Sequence, residues 1–378
     1  MKRVKCGIDN IDSVASVLEG ARLGLMTNPT GVDSSLLSTA DILASRFRLS
    51  ALFSCEHGIR GCVPAGEHVD CFTDTRTGVP VYSCYGSTQT LTPEMLDSFD
   101  VFVYDIQDAG ARFYTYIYSL ANAMEACAAA GKPVVVLDRP APLDGLTVQG
   151  TLLEPEVSSF VGRFPMPTRY ALTVGEYARW VNAEENLRLD LYIAPLSGWT
   201  RDMRYGETGL LFVPPSPNIS TLHALEVYTG TCIFEGTNIS EGRGTALPFE
   251  YIGAPFLDAE KLARRMNELR IAGFLFREAY FSPSCSKHAG ARCAGVQIYI
   301  TDFKAADPVR MGLKLLDTIR ELAGNSLEWT GEGEIKTIDR LLGTAAYRRG
   351  QFDADSLMAH HTPEILAWQK RTEQYRLY

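Results

Sequence analysis

The chain has 378 residues, 46% of them hydrophobic and 21% charged, with a net charge of −9. That length exceeds the size at which one hydrophobic core usually stops growing, so two domains are expected, and the composition is that of a globular protein, not a disordered or fibrous one. The acidic balance argues against nucleic acid as a partner, which would need a basic face, while a few arginines in one cleft can still hold an anionic small substrate.

No apolar run approaches the roughly 18 residues needed to span a bilayer. The start, MKRVKCGIDN, carries basic residues with no apolar stretch after them, so as written the sequence reads as cytoplasmic; a preceding export segment would make the protein periplasmic or secreted instead. The nine cysteines include no C-x-x-C pair, which fits reduced thiols better than a disulfide framework. No cysteine or histidine pair has zinc-ligand spacing, so no metal is expected.

Strands and helices alternate through the first half. Arg22–Thr27 reads as a strand, Ser34–Ser45 as a helix, and Leu49–Phe53 as a short buried strand ending in Ser54 and Cys55. Val79–Cys84 and Asp100–Asp105 are further strands, the second apolar enough to be covered on both faces. A long helix is expected over Ala109–Ala130 with Gly131 after its end, then a strand over Pro133–Leu137. Such alternation means an α/β fold with a largely parallel sheet and right-handed crossovers. Beyond it come a helix near Val174–Ala183, a strand at Asp190–Ala194 and the Pro-rich stretch Val213–Asn218, the best domain boundary in the chain. Lys261–Leu269 and Pro308–Leu322 read as helices, Val296–Ile300 as a strand, and the C-terminal stretch as mostly helical.

Three strand ends in the sheet are charged, which suggests a cleft with a charged floor beyond the carboxyl edge. After Phe53 the chain presents Glu56, His57 and Arg60 on a loop flexed by Gly58 and Gly61. After the Asp100–Asp105 strand come Ile106, Gln107 and Asp108; Asp105 and Gln107 would point together while Asp108 caps the following helix. Arg112 and Tyr116, four apart, would share a face of that helix. Asp138 and Arg139 end the next strand. In the second half, Phe234–Glu250 interleaves Glu235, Glu241 and Glu250 with Asn238, Arg243, three glycines and Pro248, a pattern too poor in apolar surface for core and better suited to a loop lining a site.

Glu56 and a second carboxylate fit the acid and base of glycoside hydrolysis, and Arg60, Arg112 or Arg243 fit an anionic substrate group. The same inventory, with Asp105 and Asp138 beside Glu56, fits Mg²⁺-dependent phosphoryl chemistry. No G-x-G-x-x-G, P-loop or G-x-S-x-G motif is present, so no nucleotide cofactor and no serine hydrolysis are expected.

The strings TNPTGV (27–32), LFSCEHGIRG (52–61), DIQDAGARFYTYI (105–117), LDRPAPLDG (137–145), PPSPNISTLHA (214–224) and EGTNISEGRGTALPFEYIGAP (235–255) resemble the NamZ-type exo-β-N-acetylmuramidases, in order and over nearly the whole chain. The resemblance implies a Rossmann-like N-terminal catalytic domain, residues 1–222, and a smaller α+β C-terminal domain, residues 223–378, with the site between them. It also implies release of N-acetylmuramic acid from the non-reducing end of peptidoglycan fragments, a saccharide or muropeptide substrate, no cofactor, and Glu56 of the EHG motif as the catalytic residue. His57 would tune or orient Glu56. Asp105, Asp108, Glu235 or Glu241 would supply the base or nucleophile, with Asp105 and Glu241 placed among the catalytic groups, and the substrate's own acetamido group is a third option. Arg60, Gln107, Asp108, Arg112, Tyr116, Arg139, Asn218, Glu235, Asn238 and Arg243 would bind the substrate, whose lactyl carboxylate gives the arginines a purpose. Two positions depart from the family pattern: Tyr170 stands where a histidine is expected and Ala141 where an asparagine is expected. The competing readings are a catalytically silent cell-wall-sugar binding protein and a metal-dependent phosphohydrolase.

Overall fold

The computed structural model describes residues 3–56, 58–60, 71–86 and 88–378. Its strands are β1 (Arg22–Thr27), β2 (Arg48–Ser54), β3 (Phe72–Thr73), β4 (Pro80–Ser83), β5 (Val101–Asp105), β6 (Val134–Leu137), β7 (Gln149–Leu152), β8 (Pro167–Arg169), β9 (Leu191–Ala194), β10 (Tyr251–Ala254), β11 (Phe274–Phe281) and β12 (Cys293–Ile300). Seven of them form one sheet in the order β3-β4-β2-β1-β5-β6-β9, parallel throughout except for the edge strand β3. The expected α/β class with a largely parallel, Rossmann-like sheet is therefore what forms. All five residues of β5 are buried, as its continuous apolar sequence requires in a sheet covered on both faces.

From β1 the chain runs outward through β2 to β4, then returns to the far side of β1 as β5. The order reverses there, and the carboxyl ends of β2 and β5 open a crevice on either side of β1. Glu56 follows β2 and Asp105 closes β5, so two of the three charged strand ends flank this crevice.

The expected helix over Ala109–Ala130 begins only at Tyr116 and ends at Ala129. The carboxylate of Asp108 accepts the N–H of Gly110 at 2.6 Å, Gly110 takes the left-handed conformation at φ 73°, and the Arg112 N–H reaches the Thr168 carbonyl at 2.8 Å. These bonds occupy the backbone groups a first helical turn would use, so residues 109–115 stay a loop. Asp108 is consequently not the helix cap, and Arg112 and Tyr116 do not share a helix face. β7 and β8 form a hairpin beneath this loop, an element without a clear sequence signal.

Past Val213–Asn218 the helix Leu222–Thr231 leads into a second unit, the antiparallel sheet β10-β12-β11 covered by the helices Ala259–Glu268 and Pro308–Ala323. The last long helix, Ala354–Thr372, then turns back to the first unit. Its Trp368 donates to the Tyr170 carbonyl at 3.1 Å and packs edge-on against Trp180, and the Tyr378 hydroxyl reaches Asp138 at 2.8 Å. Among the described residues no helix is long and apolar enough to cross a membrane.

The helices Leu222–Thr231 and Pro308–Ala323 cross backbone to backbone. A Cβ at Gly230 would overlap the Pro308 carbonyl, and one at Gly312 would overlap the carbonyl of Gly230. Gly230→Ala is expected to lower stability by roughly 1–3 kcal/mol in denaturant unfolding. An unchanged midpoint would mean that the two helices can separate without loss.

Candidate active site

Glu56 sits one residue beyond Cys55 at the end of β2, half-buried. Its Oε1 accepts the Tyr85 hydroxyl at 3.0 Å and its Oε2 the Thr115 hydroxyl at 3.5 Å. Tyr116 donates to the Pro215 carbonyl at 2.9 Å and lies 3.3 Å from the Glu56 carbonyl, tying the loop after β2 to the segment that joins the two units. Tyr85 reaches Glu56 because β4 pairs with β2 and the Cys84 N–H continues the pairing to Ser54. Burial, reinforced by the Glu56 carboxylate, pushes the Tyr85 phenol up to about 12, so it remains a donor at neutral pH.

Glu56 opens on a cavity of about 180 Å³ between the two units. From the first unit come Tyr85, Phe113, Tyr114, Thr115 and Phe160; from the second, Tyr228, Glu235, Arg243 and Phe249. Tyr228 packs edge-on against Phe113 at 5.4 Å and Phe249 at 4.8 Å, which makes a continuous aromatic wall. Phe249 is held at φ 65°, unusual for a bulky residue, and its N–H bonds the Glu241 carbonyl at 2.6 Å. This strained turn places the ring beneath the Arg243 guanidinium, 5.1 Å from its centroid.

Arg243 is bracketed by two carboxylates. Its Nη2 meets Glu235 Oε1 at 2.5 Å and its Nε lies 3.3 Å from Glu241 Oε1. Glu241 also takes Lys287 at 2.8 Å, and Lys287 fixes the loop further through the carbonyls of Phe234 and Ile239. Burial works to lower the Arg243 value, but Glu235 and Glu241 outweigh it and keep the guanidinium charged. For Glu235, burial raises the carboxyl above its ordinary value against the pull of Arg243.

Of the expected site residues, Glu56, Glu235 and Arg243 meet in this cavity, and Tyr116 supports it from behind. His57 lies outside the described residues. Asp105 does not reach the cavity. It is fully buried, its oxygens taken by Arg139 at 2.5 and 2.9 Å and by the Thr39 hydroxyl, so both Asp105 and Arg139 brace the sheet edge. Asp138 is likewise closed, by the N–H groups of Arg139 and Gly175 and the hydroxyls of Thr173 and Tyr378. With Asp105 and Asp138 both occupied, the carboxylate set imagined for Mg²⁺ is not assembled beside Glu56.

The remaining expectations also need correction. Glu241, with a side chain 2% exposed, is locked between Arg243 and Lys287. Arg60 pairs with Asp74 and Asp41 instead of facing the cavity. Gln107 is buried and donates to the carbonyls of Asp108 and Pro140. Arg112 is fully buried and spends its donors on the carbonyls of Thr151, Met166 and Leu341. Asn238 bonds the backbone at Ser326 and Glu328. Asn218 is half-buried in a turn whose neighbours Ser216 and Ile219 line the cavity in its place. Sequence reasoning missed Tyr85, Phe113, Tyr114, Thr115, Phe160, Tyr228 and Phe249. The run Phe113–Tyr116 directly after Arg112 was the signal available for three of them.

Neither of the two departures from the family pattern lines the cavity. The Tyr170 hydroxyl donates to Asp108, and Ala141 is buried in the core on one face of the sheet.

Comparison with known proteins agrees across the chain. Residues 23–223 match the family described as exo-beta-N-acetylmuramidase NamZ, N-terminal, and residues 226–378 its C-terminal counterpart. A curated relative from Bacillus subtilis (strain 168), peptidoglycan beta-N-acetylmuramidase NamZ, is 43% identical over 100% of this chain and 92% of its own length. Two crystal structures of DUF1343 family proteins from Bacteroides fragilis NCTC 9343 are similar. One has a TM-score of 0.88 and 34% identity with full coverage of both chains, the other 0.78 and 28% over 99% of each.

Asp108 carries a pH dependence that can be measured. Burial pushes its carboxyl from 3.8 up to about 6, although Tyr170 and the N–H groups of Gly110 and Ala109 favour the ionised form. A folded value above the unfolded one means that stability from this group is full at about pH 4 and is lost as pH rises through about 6. Asp108→Asn keeps an acceptor for Tyr170 and removes the charge. The drop in unfolding free energy between about pH 4 and pH 7 is expected to shrink by about 2–3 kcal/mol relative to wild type. An unaltered pH profile would remove Asp108 as its source.

Proposed function

The chain belongs to the NamZ family of exo-β-N-acetylmuramidases, and from that premise we propose that it is a glycosidase that releases N-acetylmuramic acid from the non-reducing end of peptidoglycan fragments. The observation that carries this reading is Glu56, a hydrogen-bonded carboxylate at a strand end that opens on a small aromatic-walled cavity with a guanidinium in its lining.

At about 180 Å³ the cavity is smaller than the ~300 Å³ at which drug-sized pockets begin, and suits a single sugar ring. Room for one ring favours cutting at a chain end. Aromatic faces stack against the apolar face of a pyranose, and of the lining rings the half-buried Tyr85 and Phe160 can supply them. Arg243, charged and seated on Phe249, suits the lactyl carboxylate that distinguishes muramic acid from glucosamine. Glu56 then serves as general acid, giving its proton to the oxygen of the departing sugar as the C–O bond breaks. Tyr85 and Thr115 hold the carboxyl in position and stabilise the carboxylate left behind.

The test is release of chromophore from an aryl β-N-acetylmuramide by wild type and Glu56→Gln, with the N-acetylglucosaminide as control. Gln keeps the shape of Glu without a transferable proton. Turnover of the muramide alone, reduced by a factor of roughly 100 or more in the variant, is expected. Binding of N-acetylmuramic acid without turnover by wild type would instead make the protein a binder of cell-wall sugars.

A further inference from the structure

Glycoside hydrolysis needs a partner for Glu56, and the structure narrows the choice sharply. Asp105 and Asp138 are fully buried behind the sheet edge with their oxygens taken by neighbouring donors, and Asp108, 2% exposed, gives one oxygen to Tyr170 and the Gly110 N–H and does not line the cavity. Glu241 is closed between Arg243 and Lys287. Glu235 differs from all of them. It lines the same cavity as Glu56, its side chain keeps 30% of its exposure, and Arg243 holds its Oε1. We infer that Glu235 is the second catalytic carboxylate, the general base for the water that attacks the anomeric carbon. The inference rests on the glycosidase reading above and adds the partner and the stereochemistry.

Glu56 and Glu235 belong to different units and both line the cavity, and no ion pair or hydrogen bond among the described residues joins Glu56 to Glu235 or Arg243. Two carboxylates that line one cavity without touching leave room for a water beside Glu235, as single displacement requires, where the separation is roughly 6.5–9.5 Å. The electron pair of the glycosidic C–O bond leaves with the departing oxygen, which takes the Glu56 proton. The water oxygen bonds to the opposite face of the anomeric carbon and its proton passes to Glu235. Glu235 then releases that proton to solvent and Glu56 takes one up, which restores the starting state.

The surroundings suit a base. Arg243 fixes one oxygen of Glu235 in place and leaves the other for water. The Glu241–Lys287 pair holds Arg243 from behind, so the guanidinium cannot swing away from Glu235. The charged and titratable groups around Glu235 are Arg243, Glu241 and Lys287, with Tyr228 and Cys232 on the adjoining helix. Burial lifts the Glu235 carboxyl above its ordinary value, towards the range where a base is effective near neutral pH. Because the base must be ionised, kcat/KM falls as pH drops through its value.

The experiment uses the full chain and the aryl β-N-acetylmuramide. Glu235→Gln is expected to lower kcat by roughly 100-fold or more with KM nearly unchanged, and to remove the acid limb of the pH profile. Glu235→Ala is expected to regain turnover with added azide and yield the α-glycosyl azide, a result that a merely structural glutamate cannot give. Proton NMR of the wild-type reaction should show the α-anomer of N-acetylmuramic acid first. Wild-type turnover with a β-anomer first, or with kcat unaffected in Glu235→Gln, would overturn the assignment while leaving the glycosidase reading intact. Absence of wild-type turnover would instead overturn the glycosidase reading itself.

Discussion

The buried guanidinium of Arg112 is the joint on which the cavity depends. Its donors reach the carbonyls of Thr151 and Met166, beside the β7–β8 hairpin, and of Leu341 in the helix Thr337–Leu342. No ion pair is formed by this side chain among the described residues; backbone dipoles hold the charge. A carboxylate would satisfy one direction of the planar fork, whereas three carbonyls use several and bind three stretches of chain at once. Burial lowers the Arg112 value only to about 10, so the cation persists at neutral pH. Phe113, Tyr114 and Thr115 follow it immediately, and their position in the cavity wall is inherited from this joint.

A second constraint divides the charges at the sheet edge into those that build the crevice and those that use it. The β5 and β6 ends are closed by the Asp105–Arg139 pair and by the donors around Asp138. Burial weakens an ionised carboxylate, and Asp105 is held only because Arg139 and Thr39 answer it directly. With both strand ends closed in this way, the charged floor of the crevice is a brace. Glu56, at the end of β2 with β1 between it and Asp105, rests on hydroxyl donors among the described residues, stays half-buried and faces the cavity.

Much of this arrangement was legible in the sequence. Alternating apolar runs fixed the parallel sheet because a doubly covered strand such as β5 has no other way to be stable in water. Glu56 was legible as a candidate because an open α/β sheet commonly builds its site from polar residues that leave a strand end on a glycine-flexed loop, and Glu56 does line the cavity. Arg112 and Gln107 were misplaced because sequence spacing cannot reveal whether a polar side chain turns inward to carbonyls supplied from distant parts of the chain. Glu235 and Glu241 share one loop and similar neighbours, and Lys287, far along the chain, decides which of them is closed. Tyr85 joins Glu56 only through the pairing of β4 with β2, a contact in three dimensions that no local pattern announces.

The site is split between the two units, so its geometry depends on how rigidly they are joined. The helix Leu222–Thr231 carries Tyr228 on its cavity side and runs directly into the turn that bears Glu235. That helix is seated where Gly230 and Gly312 meet without side chains between them. A contact between backbones has no rotamers through which to relax, so it sets the helix at one depth and one angle. Trp368 and Tyr378, reaching back to the first unit, resist opening from the far end of the chain. Glu56 and Glu235 line one cavity from separate units, and close helix crossing with a returning C-terminal helix is a way to hold their separation constant.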